Sequence, residues 1–212
     1  MDILANNIIV KGGWVMIPII LGSIIALGLA IERGMLLWKI RLDVRKFADE
    51  IFSLLERGHR DLAVEACART LHPIGRVFET GLAHWGEDPV EIELNMEHTG
   101  NDEMERLEKN MHLFLVIVGV EPMLGFLGTI LGLIQAFMTW EANATSITVD
   151  KLAAGIYQAM TTTAGGLLVA IPFYIVYSIY TNRINRAAQH MNHFGEMLVL
   201  RMKNMDTGRK KK

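Results

Sequence analysis

A single cysteine, Cys67, among 212 residues excludes an intramolecular disulfide framework and every zinc or iron–sulfur site built from several cysteines. Charge of one sign is missing too. Twenty-one lysines and arginines face 23 aspartates and glutamates, a formal net charge of −2, so no overall basic field draws the chain to nucleic acid. The sequence lacks HExxH, GxSxG and a glycine-rich phosphate loop followed by lysine. Its seven histidines, at 59, 72, 84, 98, 112, 190 and 193, form no pair within an apolar run and read as solvated or core side chains rather than ligands. No catalytic or metal constellation emerges, and neither an enzyme nor a bound cofactor is expected. What is present is 51% hydrophobic and 21% charged residues with a mean hydropathy of +0.27. That excludes disorder and requires greasy and charged residues to be segregated along the chain.

Three uncharged runs carry the segregation. Gly12 to Ile31 gives twenty residues, Pro122 to Trp140 nineteen, and Leu152 to Asn182 thirty-one. A ten-residue run, Met111 to Val120, precedes the second and is separated from it only by Glu121. About 20 apolar residues cross a bilayer core as a helix. Three membrane helices are predicted, at residues 12–38, 111–140 and 152–182. The first is too long for the apolar region of a signal peptide, and no small-residue cleavage pattern follows it. Orientation follows from Arg33, Lys39, Arg41, Arg45 and Lys46 after the first run and Arg183 and Arg186 after the third. These place an N-terminal stub (1–11) and a loop (141–151) outside, and residues 39–110 and a basic tail (183–212) in the cytoplasm; the stub and loop would be periplasmic in a bacterial inner membrane.

Residues 41–110 hold sixteen acidic and nine basic side chains. Val44, Phe47, Ile51, Leu54 and Leu55 recur at helical spacing before Gly58, which supplies a left-handed stop. Further helices are predicted at 60–71 and, after His72-Pro73, at 74–85. Asp88-Pro89-Val90-Glu91 combines an N-cap acid with proline at the first helical position. From there one helix is expected to continue into the second span, with Gly100-Asn101 its weak point. The tail, with eight basic and two acidic residues, reads as a topology anchor and solvated end.

The second and third spans contain small and polar residues that lipid does not favour. Glu121, Gly125, Gly128, Thr129, Gly132 and Ala136 share one face of the second. The third carries Gly155, Gln158, Ala159, Thr162, Thr163, Gly166 and Ala170 before Pro172. Glycine stripes permit close helix packing. Thr161, Thr162 and Thr163 point in different directions, so at least one is expected to meet Thr129 or an enclosed polar path, and Gln158 needs a partner or water. Glu121 has two readings: a cation-gathering group at a wet pore mouth, or one half of a structural ion pair.

EPMLGFLGTILGLIQAF (residues 121–137) and GIYQAMTTTAGGLLVAIP (residues 155–172) resemble the paired motifs of the MotA/TolQ/ExbB proton-channel family. The start, GGWVMIPIILGSIIALGLAIER, is similar to ExbB-type members, and three spans look like ExbB or TolQ rather than four-span MotA. The resemblance implies an all-α protein of the inner membrane, forming a ring, a pentamer in this family. Its pore would hold the single helices of an ExbD/TolR-like partner, whose aspartate titrates. Cation flow, protons rather than sodium ions, would turn that partner and drive a TonB/TolA-like protein. The family's two pore threonines fall on Thr129 and Thr163, and Thr162, Gln158 and Glu121 join them as candidates for the ion pathway. Gly125, Gly128, Gly132, Gly155, Ala159, Gly166, Ala170, Pro122 and Pro172 are the candidates for helix packing and partner contact. The chain departs from the pattern at Gln158, where ExbB and TolQ commonly carry glutamate, and at Glu121, where they usually carry a small residue. A competing reading is a non-conducting scaffold that anchors a periplasmic partner, its glycines and threonines only packing helices. A sodium-driven relative powering motility is another.

Overall fold

A computed structural model describes residues 12–142 and 149–209 and is helical throughout its regular structure. The expected stub 1–11, the middle of loop 141–151 and residues 210–212 lie outside the described residues. Seven helices follow in order: α1 (Met16–Lys39), α2 (Val44–Glu56), α3 (Arg60–Arg69), α4 (Pro73–Ala83), α5 (Pro89–Glu108), α6 (Met111–Ala142) and α7 (Val149–Arg209). Three of the helical stretches are long and apolar enough to cross a membrane. The chain divides into two compact units.

The first unit takes α1 as far as Glu32, α6, and α7 as far as Ile179. Its inward residues are mostly small or few: Ala26 and Ala30 on α1, Ala136 on α6, Ala159 and Ala170 on α7, with a cluster of Val15, Met16 and Ile19 against Leu124, Leu131 and Val169. Phe114 packs edge-on to Phe173 and Tyr177, with centroids 6.2 and 6.0 Å away. Large apolar side chains point outward instead, including Ile17, Leu21, Ile24, Phe126, Ile134, Phe137, Leu168 and Ile171. Small inside and large outside is the arrangement of helices solvated by lipid, where close backbone approach replaces the hydrophobic effect as the source of packing.

The second unit, residues 33–109 and 180 onward, has an ordinary aqueous core. Phe52, Phe78, Ile51, Ile74 and Leu82 are fully enclosed together with Leu198 and Met202 of α7. Phe78 lies between Phe47 and Phe52, 6.1 and 6.0 Å from their ring centres. Each such side chain contributes about 1.5–3 kcal/mol on burial. Local signals set the helix starts: Asp43, His72 and Asp88 each accept a hydrogen bond from a backbone N–H of the first turn, and Pro73 and Pro89 open α4 and α5. Gly58, at φ +80°, ends the turn after α2. At the C-terminus of α5, Arg33 Nη1 donates to the Arg106 and Leu107 carbonyls at 3.4 and 3.5 Å, meeting carbonyls the helix leaves unpaired.

Two features differ from the sequence expectation. The helix entering the second span is interrupted, not at Gly100-Asn101, which stays helical within α5, but at Asn110, whose φ is +63°. Asparagine tolerates the left-handed conformation, and its Nδ2 donates to Glu32 Oε2 at 3.3 Å. The basic tail is not a solvated end either. α7 runs unbroken to Arg209, and Ile184, Ala187, Met191, Phe194, Leu198 and Met202 form a buried stripe along it. Their apolar contacts outweigh the basic residues between them, which stay at the surface.

Candidate functional site

α6 and α7 are joined by a seam that only small residues allow. A Cβ on Gly166 would lie 3.2 Å from Gly125 Cα, one on Gly132 would lie 2.9 Å from both Gly155 O and Ala159 N, and one on Gly155 would lie 2.7 Å from Ala136 Cβ. Going down this series, numbers rise on α6 as they fall on α7, so the helices are antiparallel. Gly128 faces the Thr162 side chain so closely that any side chain at 128 would overlap it. Backbone contacts of this kind cannot yield, and hence the glycines fix the separation of the two helices. Ala170 is buried; Pro122 lies inside α6 and Pro172 inside α7, with Pro172 exposed.

The seam brings Thr129 and Thr163 into direct hydrogen bond. Thr163 Oγ1 also donates to Gly125 O at 3.0 Å, while Thr129 Oγ1 reaches Ala159 O at 3.1 Å and Gly125 O at 3.3 Å. Two hydroxyls have two protons, fewer than these contacts require, so not all of them are made at once. Whichever arrangement holds, oxygen lone pairs remain that can accept from water or a protonated acid, or face a cation. Both threonines are half-buried, so the pair sits near the edge of the seam.

The other candidates do not join them. Thr162 is fully enclosed, and its hydroxyl bonds back to Ala159 O and Gln158 O at 2.9 and 3.2 Å. Thr161 is buried and bonds back to Tyr157 O at 2.7 Å. Gln158 faces Gly13, whose φ of +69° carries the chain into α1. Glu121 is 2% exposed and packed against Gly22 of α1, where a Cβ would overlap Oε1 and lie 3.1 Å from Cδ. Its Oε2 is enclosed with no hydrogen-bond partner among the described residues. Thr162 and Glu121 are therefore enclosed within the chain, and Glu121 forms no ion pair with a described residue. Gly22 and Gly13 were the positions that sequence reasoning missed. The only signal for Gly22 is its place among small residues in the GSIIALGLA stretch.

In the second unit, burial pushes the Cys67 thiol up to about 12, with Glu79 adding to the effect, so the thiol stays protonated. No group of three metal-ligating side chains forms among the described residues.

Three apolar spans and a glycine-packed polar seam define a multi-pass helical membrane protein. A model of the MotA/TolQ/ExbB proton channel family matches residues 69–193, and the chain belongs to that family. It is 32% identical to putative biopolymer transport protein ExbB-like 1 of Synechocystis over 87% of this chain and 72% of the relative. With ExbB-like 3 of the same organism it shares 30% identity over 76% and 77% of the two chains. The Tol-Pal system protein TolQ of Haemophilus influenzae is 34% identical over 44% of this chain and 41% of its own.

Proposed function

We propose that this chain is the ExbB/TolQ-like subunit of an ion-driven motor in the inner membrane of a bacterium, with its N-terminus in the periplasm and its C-terminus in the cytoplasm. Copies of the chain form a ring, of five by resemblance to the family. The ring surrounds an ExbD/TolR-like single-span partner and couples cation flow, of protons rather than sodium ions, to movement of that partner and to work on a TonB/TolA-like protein. The observation that carries this reading is the Thr129–Thr163 pair, two hydroxyls from different spans in direct hydrogen bond at the half-buried edge of the α6–α7 seam. The large exposed apolar residues of all three spans supply the surface that lipid and neighbouring copies would cover.

A scaffold reading has one observation in its favour. Gly125 O and Ala159 O can satisfy both hydroxyls within a single protomer, so the pair could serve packing alone. Reconstitution with the single-span partner in liposomes separates the two. Ion flux that requires both chains supports the motor; a stable ring without flux supports the scaffold.

A further inference from the structure

A slot of about 290 Å³ opens between α5 and the distal part of α7 in the second unit. It is lined on α5 by Glu93, Glu97, Gly100 and Met104 and on α7 by Met191, Gly195 and Val199, each set at helical spacing. Mid-stripe on each helix, a side chain is missing. A Cβ on Gly100 would lie 3.9 Å from Val77 Cγ2, and one on Gly195 would lie 3.9 Å from Val77 Cγ1 and 3.4 Å from Met96 Cε. These are ordinary contact distances, so alanine fits at both positions, and helical glycine costs roughly 1 kcal/mol relative to alanine. The contrast is Gly81, where a Cβ would lie 2.6 Å from Met96 Sδ and 3.2 Å from Leu198 Cδ2, so that a side chain there would have to displace its neighbours. At Gly100 and Gly195, packing gives no reason for glycine. What the two residues provide is access to Val77 on the floor of the slot.

The walls and rim indicate what enters. Met96, Met104 and Met191 form flexible, polarisable walls of the kind that adapt to an inserted side chain. Glu93, Glu97 and Glu196 stand exposed around the opening, and none forms an ion pair with a described residue, whereas Glu56, Glu65 and Glu103 all do. A pit with methionine and valine at its floor, Asn101 and Asn192 beside them, and an acidic rim that has no ion-pair partner among the described residues repels anionic lipid and leaves a neutral ligand without use for the rim. A purely basic sequence, such as the Arg-Lys-Lys-Lys of residues 209–212 in a second copy, would match the rim and leave the pit empty. We infer that the slot is a docking site for a cationic, amphipathic segment of a partner protein, which inserts one or two large apolar side chains over Val77 and places lysine or arginine beside Glu93, Glu97 and Glu196.

The test uses the purified full-length chain in mild detergent and fluorescein-labelled synthetic peptides read by anisotropy. A helical lysine peptide with a leucine face should bind saturably. A lysine-only peptide and a glutamate-for-lysine analogue should bind at least about tenfold more weakly. The surface double variant Glu97→Gln/Glu196→Gln, and separately Gly100→Ala, which fills part of the slot without strain, should each weaken the leucine-faced peptide about threefold or more, with the melting temperature unchanged in the first and unchanged or raised in the second. Equal binding by the lysine-only peptide, binding insensitive to both variants, or preference for the acidic peptide would overturn the inference. A peptide of residues 201–212 binding as tightly as the leucine-faced one would overturn it in favour of a second copy.

Discussion

Glu121 of α6 occupies the notch that Gly22 leaves on α1, with its carboxylate where the first side-chain atom at position 22 would stand. The relationship predicts strong coupling between two positions 99 residues apart in the chain. Gly22→Ala should lower stability by about 1–3 kcal/mol, the usual cost of overpacking. In a Glu121→Ala background the same change should cost less than about 1 kcal/mol, because the notch is then empty. Thermal unfolding of the four proteins of this double-mutant cycle in detergent checks it; additive effects would show that the two residues do not meet.

Glycines of the α6–α7 seam should differ sharply from a glycine facing open space. Gly132→Ala drives a Cβ to 2.9 Å from Gly155 O and Ala159 N, both backbone. A loss of about 1–3 kcal/mol is expected. Gly28 has nothing within 4 Å of its hypothetical Cβ, so Gly28→Ala should be neutral or slightly stabilising. Melting temperatures of the two variants, measured side by side, decide it.

His72 links the stability of the second unit to pH. Its Nδ1 accepts from Ile74 N–H at 3.2 Å, and burial, with His190 adding repulsion, pushes the imidazole down to about 4 from 6.5. The unfolded chain therefore takes up a proton at this residue before the folded chain does as pH falls. The neutral ring's contribution is complete above about pH 6.5 and is lost progressively towards pH 4, on the order of 3 kcal/mol in all. His72→Asn retains a short acceptor for the Ile74 N–H but cannot titrate. It should flatten the fall in stability between about pH 6.5 and 4.5; an unchanged slope would assign the pH dependence to other groups.

Much of this architecture was legible from residue order because its causes are local. The three uncharged runs, the stop at Gly58 and the start at Asp88-Pro89 act within a turn or two of themselves. The break at Asn110 was not legible: asparagine is an ordinary helix residue until a neighbour favours its left-handed form, and Gly100-Asn101 has the weaker helix propensity. The stripe from Ile184 to Met202 was present in the sequence at helical spacing, but the basic residues between its members masked it. At the site, the family's motifs singled out Thr129 and Thr163 among several polar residues, and the structure places the two in contact. The surroundings of Glu121 depend on the register of α1 against α6, which no motif encodes.

The central claim, that the Thr129–Thr163 pair serves ion conduction in a ring motor, is tested most directly by proton flux into liposomes. The vesicles would carry the complex of this chain with its single-span partner, as wild type, Thr129→Val or Thr163→Val. Valine keeps the branched shape and removes the hydroxyl, so rings of native mass should still form while flux falls at least about tenfold. Wild-type flux through correctly assembled valine rings would contradict the account and leave the two threonines as packing residues.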